Sequence, residues 1–310
     1  MMGYCLCCAK KSESDFHPRC AKLLFGDTKI PELSISINDI RTIAKKNVLA
    51  RLSVTGVQSK ISLELSDNDP KSSRLTIVGY KGDFILKPPS TDYSHLPENE
   101  HLTMLMAKQF SFGVAVSSLI RLKSGELCYL TKRFDRQKGI KLAQEDFCQL
   151  TERLTEDKYK GSYESIGRWI KKNTTSPGID LVRFFEMVLF SFLTGNSDMH
   201  LKNFSIQTDM EGRIKLTPAY DLLSIRLFLP EDKEELALTL NGKKNKISAL
   251  DWEAFANSIS ISSTVFKKTM QQIQNKISAL QEIIKSYPFE KSFAKEYAKL
   301  LNYRSKRTMG

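Results

Sequence analysis

Apolar residues change their spacing once along this chain, near residue 134, and that change limits the folds open to it. Before it lie short β-type runs at 60–65, 75–78, 84–87 and 116–121, separated by the Ser-, Asp- and Pro-rich segments 66–73 and 88–97. One helix is expected after Pro97. Beyond residue 134 apolar positions recur at helical spacing, most clearly over 179–193 and 259–285. Alternation puts every second side chain on one face of a strand, whereas a period of about 3.6 lays a stripe along a helix. The expectation is an α+β fold of two lobes, a small β-rich one over 1–134 and a mainly helical one over 135–310. No internal repeat with a period of about 20 to 50 residues interrupts this order.

A chain of 310 residues with 41% hydrophobic and 26% charged residues can bury one large core or two ordinary lobes, and is not disordered. No apolar stretch reaches the roughly 20 residues needed to span a bilayer. The longest candidate, 181–194, contains Arg183 and Glu186 and reads as a buried helix. Cys and Lys occupy the N-terminus where a signal peptide would need an apolar core, so export by that route is not indicated. The net charge of +12 gives general affinity for polyanions. It is spread over Lys171, Lys172, Lys243, Lys244, Lys267, Lys268 and the tail 304–307, with no helix-turn-helix or aromatic stacking surface beside it. Most of it reads as solvated faces, and a part could serve a DNA-bound assembly.

Behind the apolar run 181–193 comes Gly195-Asn196-Ser197-Asp198-Met199-His200-Leu201-Lys202-Asn203, which sets an acid and an amide five positions apart beside a basic residue. Phosphoryl transfer to a hydroxyl uses that spacing: the acid accepts the hydroxyl proton and the amide holds a metal ion against the nucleotide phosphates. Asp198 and Asn203 fit these roles, and Asp221 offers a second metal ligand from another backbone segment. Gly-Asn-Ser-Asp is also ordinary turn chemistry.

Other parts of a nucleotide site occur upstream. The loop from Ser53 through Thr55, Gly56, Val57, Gln58 and Ser59 to Lys60 is hydroxyl-rich, and its glycine lets backbone N–H groups approach phosphate oxygens. It reads equally as a plain β-turn. Lys87 ends an apolar β-type run where it could pair with phosphates, with Glu100 as its natural partner on the following helix. Taken singly, they could be a solvated strand end and a first-turn acid. The run 127–136 passes from a strand into a charged turn, where backbone groups at Lys132 and Phe134 could meet an adenine edge.

Four of the six cysteines fall in the first 20 residues. Cys5, Cys8, His17 and Cys20 have the ligand types and two-residue gaps of a small zinc knuckle. Cys7 leaves the ligand choice ambiguous, and a reduced thiol cluster packed near Phe25 is the alternative. A disulfide framework is not expected in a chain of this size without secretion signals.

In order, Ser-Val-Thr-Gly-Val-Gln-Ser-Lys, Phe-Ile-Leu-Lys-Pro, Glu-Asn-Glu, Lys-Arg-Phe-Asp-Arg, Glu-Asp-Phe-Cys-Gln, Asn-Ser-Asp-Met-His-Leu-Lys-Asn-Phe-Ser and Ala-Tyr-Asp-Leu-Leu-Ser closely resemble the HipA-like serine/threonine kinases of bacterial toxin-antitoxin systems. The likeness runs over 53–224, and the chain is more similar to the compact HipT form than to a full HipA protein. The resemblance implies a two-lobed protein-kinase-like fold of the HipA and PI3/4-kinase type, with ATP and magnesium as cofactors. It implies Asp198 as catalytic base, Asn203 and Asp221 as magnesium ligands, and Lys87 at the ATP phosphates with Glu100 behind it. His200 and Lys202 would stand by the γ-phosphate, Thr55 to Lys60 over the phosphates, and Lys132, Phe134 and Tyr220 at the nucleotide. Ser53 matches the serine these kinases phosphorylate on themselves, an event that expels the loop, and Thr55 supplies a second hydroxyl. The implied partners are an aminoacyl-tRNA synthetase as substrate and one or more antitoxins, with DNA met only through an antitoxin and no membrane. The bacterial cytoplasm is the expected location, and delivery into another cell is left open.

Two other readings compete. One is a kinase-shaped binding module whose task is to sit in an antitoxin–DNA complex. The other is a metal-dependent hydrolase using Asp198, His200 and Asp221 as ligands. Farther on, 230–235 reads as a charged surface loop and 236–243 as a strand and turn ending at Asn241-Gly242.

Overall fold

The computed structural model describes residues 3–42, 60–66, 73–78, 82–137 and 139–309. It divides into two compact units, one of Met1–His101 with Ala115–Phe134, the other of Leu102–Val114 with Asp135–Gly310. Residues 102–114, assigned to the first lobe by periodicity, therefore group with the second unit. The reason is packing: Thr103 and Tyr297 share a hydroxyl hydrogen bond of 2.8 Å, and the Phe110 ring lies edge-on to Phe190 at 4.9 Å. The Ser111 N–H donates to buried Glu186 at 3.0 Å.

The first unit is built on a five-stranded antiparallel sheet of β1 (Ile61–Ser66), β2 (Arg74–Ile77), β3 (Phe84–Lys87), β4 (Ser117–Arg121) and β5 (Leu127–Lys132), in the order β2-β1-β3-β5-β4. Its buried face carries Leu63, Phe84, Leu86, Ile120, Cys128 and Leu130. Helix α1 (Pro18–Phe25) packs Cys20, Ala21, Leu24 and Phe25 into the same core. It starts on Pro18, whose fixed φ suits a first turn, and stops at Gly26 in the left-handed conformation with φ 89°. Helix α2 (Leu96–Ala107) is buried almost all round. That suits a helix inside a protein rather than one with a wet face.

The second unit contains α3 (Tyr163–Asn173), α4 (Pro177–Thr194), α5 (Ala249–Ser258), α6 (Ser263–Ser286) and α7 (Lys291–Met309), with a three-stranded antiparallel sheet of β6 (Ala143–Asp146), β7 (Ser205–Thr208) and β8 (Ile214–Leu216). Every residue of α4 from Phe184 to Thr194 is buried. Phe185 and Phe192 stack their edges on Trp252 of α5, at 6.0 and 5.5 Å between ring centres.

Two segments differ from their expected form. The helix expected over 259–285 starts at Ser263, because α5 ends at Ser258 with Ile259 as its cap, Ser260 turns back with φ 67°, and the Ser262 side chain caps the new helix at the Val265 N–H. Over 236–243 the tight turn at Asn241-Gly242 is present, with both φ angles positive, but Leu236, Ala237, Leu238 and Leu240 are all buried. The run is enclosed on both sides, joined to Gly161 and Tyr163 by backbone bonds at Thr239, and is not a one-faced strand.

Among the described residues no helix is long and apolar enough to cross a membrane.

Candidate active site

Helix α4 delivers the polar loop. It ends at Gly195, which takes φ 76° and returns its N–H to the Phe192 carbonyl at 3.1 Å. Arg304 of α7 is buried, donates to the same carbonyl, and lies 4.8 Å over the Phe192 ring. A cation at a helix C-terminus is favoured by the partial negative charge of its last carbonyls. Burial pulls the Arg304 pKa down to about 10, still far above neutrality.

Within the loop, Met199, Leu201 and Phe204 are anchors, each 1% exposed or less. The Met199 carbonyl accepts from the Tyr163 hydroxyl at 3.0 Å and the Leu201 N–H donates to Lys158 O at 3.1 Å. With those residues held in the core, the polar ones between them are fixed. The Asn196 side chain accepts from the Asp198 N–H at 3.2 Å, and Asn203 Nδ2 donates to the Asp198 carbonyl at 3.2 Å. Asp198 and Asn203 are thus tied together across their five-residue spacing. The Asp198 side chain is 39% exposed, which suits a group that must meet an incoming molecule.

Tyr159, which no sequence pattern singled out, donates its hydroxyl to Asp198 Oδ1 at 2.5 Å. Burial and that carboxylate together push its phenol pKa up, so it stays protonated and remains a donor. Its ring meets His200 edge-on at 5.1 Å. The His200 Nε2 is 4.0 Å from Asp198 Oδ1. Burial holds the His200 pKa below the ordinary imidazole value, although the carboxylates of Asp198 and Asp221 both act to raise it. His200 is therefore neutral near pH 7. Lys202 pairs at 3.2 Å with Asp146, the residue that caps the short helix Phe147–Leu150. Tyr220 turns its hydroxyl under the loop, 2.5 Å from Ser205 Oγ and donating to the Lys202 carbonyl at 2.9 Å. Asp221 follows with φ 60°, an uncommon conformation for a residue with a side chain and one that Asp tolerates better than most.

In the first unit, Lys87 Nζ and Glu100 Oε1 are 2.6 Å apart, with side chains only 4% and 1% exposed. Lys87 also lies 5.4 Å from the centre of the Tyr129 ring. Lys60 stands exposed at the entry to β1. The Lys132 N–H donates to the Val116 carbonyl at 2.8 Å. Phe134 closes the first unit. Ser53, Thr55, Gly56, Val57, Gln58 and Ser59 lie outside the described residues. Cys5, Cys8, His17 and Cys20 come together with their ligand atoms within 4.8 Å of one another.

The family model described as the HipA-like C-terminal domain matches residues 52–281, most of the chain. The chain belongs to that family. Among curated HipA-like relatives, the protein Y4dM of Sinorhizobium fredii is 37% identical over 228 residues, covering 69% of this chain and 54% of that one. The serine/threonine-protein kinase toxin HipA of Shewanella oneidensis is 28% identical over 292 residues, covering 84% and 64%. The chain spans about half the length of the first of these relatives and somewhat more of the second. In three dimensions it is similar to a chain of the Shewanella oneidensis HipA, HipB and operator DNA complex, with TM-score 0.70, 23% identity, and 91% of this chain and 73% of that one covered. It is also similar to the Helicobacter pylori proinflammatory kinase CtkA, with TM-score 0.55 and 14% identity over 80% and 93%. The HipA-like fold is thus α+β and kinase-like.

The sequence motifs alone did not reveal two features of this HipA-like site. Asp146 sits inside the Glu-Asp-Phe-Cys-Gln motif, but its role as the Lys202 partner depends on β6 lying beside β7. Tyr159 comes from a turn with no periodicity of its own, and only its separate contacts with Asp198 and His200 mark it out.

Proposed function

We propose that the protein is an ATP- and magnesium-dependent serine/threonine protein kinase. The observation that carries the reading is the buried Lys87–Glu100 pair at 2.6 Å, because a strand lysine held by a helix glutamate is the phosphate-binding device of protein kinases. In this reading Asp198, exposed and oriented by Asn196 and Tyr159, accepts the proton of the attacking hydroxyl. Asn203 spends its Nδ2 on the Asp198 carbonyl, so its Oδ1 is the atom that would be left for a metal, and Asp221 would add a carboxylate. Amide and carboxylate oxygens are the donors magnesium takes. When bound, magnesium offsets charge on the transferring phosphate. Lys87 is assigned to phosphate oxygens, Lys202 is held in its Asp146 pair, and neutral His200 can supply a hydrogen bond without adding charge.

The substrate in this reading is a serine or threonine of another protein, with an aminoacyl-tRNA synthetase as the candidate, so that translation stops. The protein acts as the toxin of a toxin-antitoxin system, in the bacterial cytoplasm or in a cell to which it is delivered. Its antitoxin carries any DNA contact, as the solved complex of a similar protein contains HipA, HipB and operator DNA. Autophosphorylation at Ser53 or Thr55 would place about two negative charges on a loop meant to lie beside ATP, and so switch the enzyme off.

The hydrolase alternative would use Asp198, His200 and Asp221 as metal ligands and would release phosphate without labelling protein. Mass spectrometry of the wild type and Asp198→Asn after incubation with ATP tests the kinase reading. Phosphate on Ser53 or Thr55 in the wild type only supports it. Free phosphate release with no labelled protein, on itself or on added synthetases, contradicts it.

A further inference from the structure

The N-terminal segment holds a second cluster of reactive groups, outside residues 52–281 that the family model matches and unused by phosphoryl transfer. The Sγ atoms of Cys5, Cys8 and Cys20 and a ring nitrogen of His17 all lie within 4.8 Å of one another, and Cys8 Sγ is 3.4 Å from His17 Nδ1. The three cysteines are free thiols. Three cysteines and one histidine in paired short gaps form a closed tetrahedral donor set for zinc, whose bonds to sulfur and nitrogen run about 2.0–2.3 Å.

Two details distinguish this from a chance thiol cluster. First, His17 Nε2 lies 3.0 Å from the Lys11 carbonyl, so it carries the proton and leaves the Nδ1 lone pair aimed at Cys8. Metal-bound histidines are oriented by such a bond on the far nitrogen. Second, Cys7 is not in the cluster: its Sγ lies 3.9 Å from the Ser117 carbonyl, so four ligands remain and the fourth thiol of the segment serves the core.

We infer that Cys5, Cys8, His17 and Cys20 bind one zinc ion that fastens the N-terminal segment to the sheet of the first unit. The fastening is direct. Between the first two ligands, the Leu6 carbonyl accepts the Leu119 N–H at 2.9 Å, covering the outer edge of β4. The next carbonyl, of Cys7, lies 3.1 Å from His101 Nε2, and His101 follows Glu100 on α2. The turn that carries the metal ligands thus also holds the helix residue beside the Lys87 partner. Zinc would set the register of that helix from one end.

The test is metal analysis of the freshly purified full chain, with cobalt reconstitution of the same chain as a second readout. About one zinc per chain is expected, with the visible absorption of tetrahedral thiolate-bound cobalt after exchange. Cys7→Ser should keep the metal and Cys8→Ser should lose it. Chelation of the wild type should lower its melting temperature, a readout that needs no kinase activity. Where Cys8→Ser fails to fold, the cobalt spectrum of the wild type decides alone. A chain without zinc that gives no thiolate-bound cobalt spectrum, one holding iron instead, or one with a disulfide in the cluster would overturn the inference. The helix clause rests on the kinase reading, and its own measure is a raised KM for ATP after chelation. An unchanged KM in a zinc-containing protein would remove that clause and leave the metal site standing.

Discussion

Lys87 and Glu100 meet at 2.6 Å with both side chains almost wholly removed from water. Losing one partner of a buried pair costs about 3 to 5 kcal/mol, more than most surface changes. Lys87→Met should therefore lower both stability and phosphate transfer. Denaturant titration beside a transfer assay checks this. A variant of wild-type stability would show that the pair does not hold the first unit together.

Tyr159 is expected to act through Asp198 as a positioning residue. One hydrogen bond to a charged oxygen is worth about 1.5 kcal/mol or more, roughly tenfold in rate. Tyr159→Phe should lower kcat by about that factor and leave the KM for ATP unchanged, which steady-state kinetics would resolve.

Gly195 joins α4 to the catalytic loop with φ 76°, and a Cβ there would stand 2.6 Å from Leu300 Cδ2 and 2.9 Å from Arg226 Cβ. Left-handed strain and overpacking add, so Gly195→Ala should cost about 2 to 5 kcal/mol. Thermal or chemical denaturation measures it. A neutral substitution would mean that the loop entry is more tolerant than its packing implies.

Asp251 accepts from Lys243 Nζ and Asn241 Nδ2 at 2.8 Å and from Ser248 Oγ at 2.7 Å. Burial raises its pKa, but these donors outweigh burial and hold it well below the carboxylate range. A carboxyl whose pKa falls on folding contributes stability that is complete above its unfolded value of about 3.9 and is lost as the pH drops toward its folded value. Stability of the wild type should thus fall below about pH 4, and Asp251→Asn should show a shallower fall from a lower plateau. Melting temperatures across that range test the difference.

How much of this was legible in the sequence depends on distance along the chain. The Asp198–Asn203 spacing is local, and the Lys87–Glu100 pairing needs only one turn between a strand and a helix, so both could be read from residue types. The Asp198–Tyr159 contact joins groups 39 residues apart and follows from how the 155–161 turn packs, which leaves no periodic trace. The break before α6 was readable in part, since Ser262 is a good helix cap, but the apolar residues on either side of it mimic one continuous stripe. Alternation misled at 236–240 because a fully enclosed run and a one-faced strand can share a pattern when Thr239 is the only polar residue. Residues 102–107 lie on a helix buried almost all round, which gives no sign in the sequence of which core it serves.

The central claim is that Asp198 is the base and that Asn203 and Asp221 hold the metal. ATP affinity by calorimetry and phosphate transfer should be measured together on the wild type, Asp198→Asn and Asp221→Asn, in magnesium. The account predicts that Asp198→Asn binds ATP like the wild type but transfers phosphate about 10² to 10⁴ times more slowly, and that Asp221→Asn loses magnesium-dependent binding as well. Transfer at the wild-type rate by Asp198→Asn would contradict it.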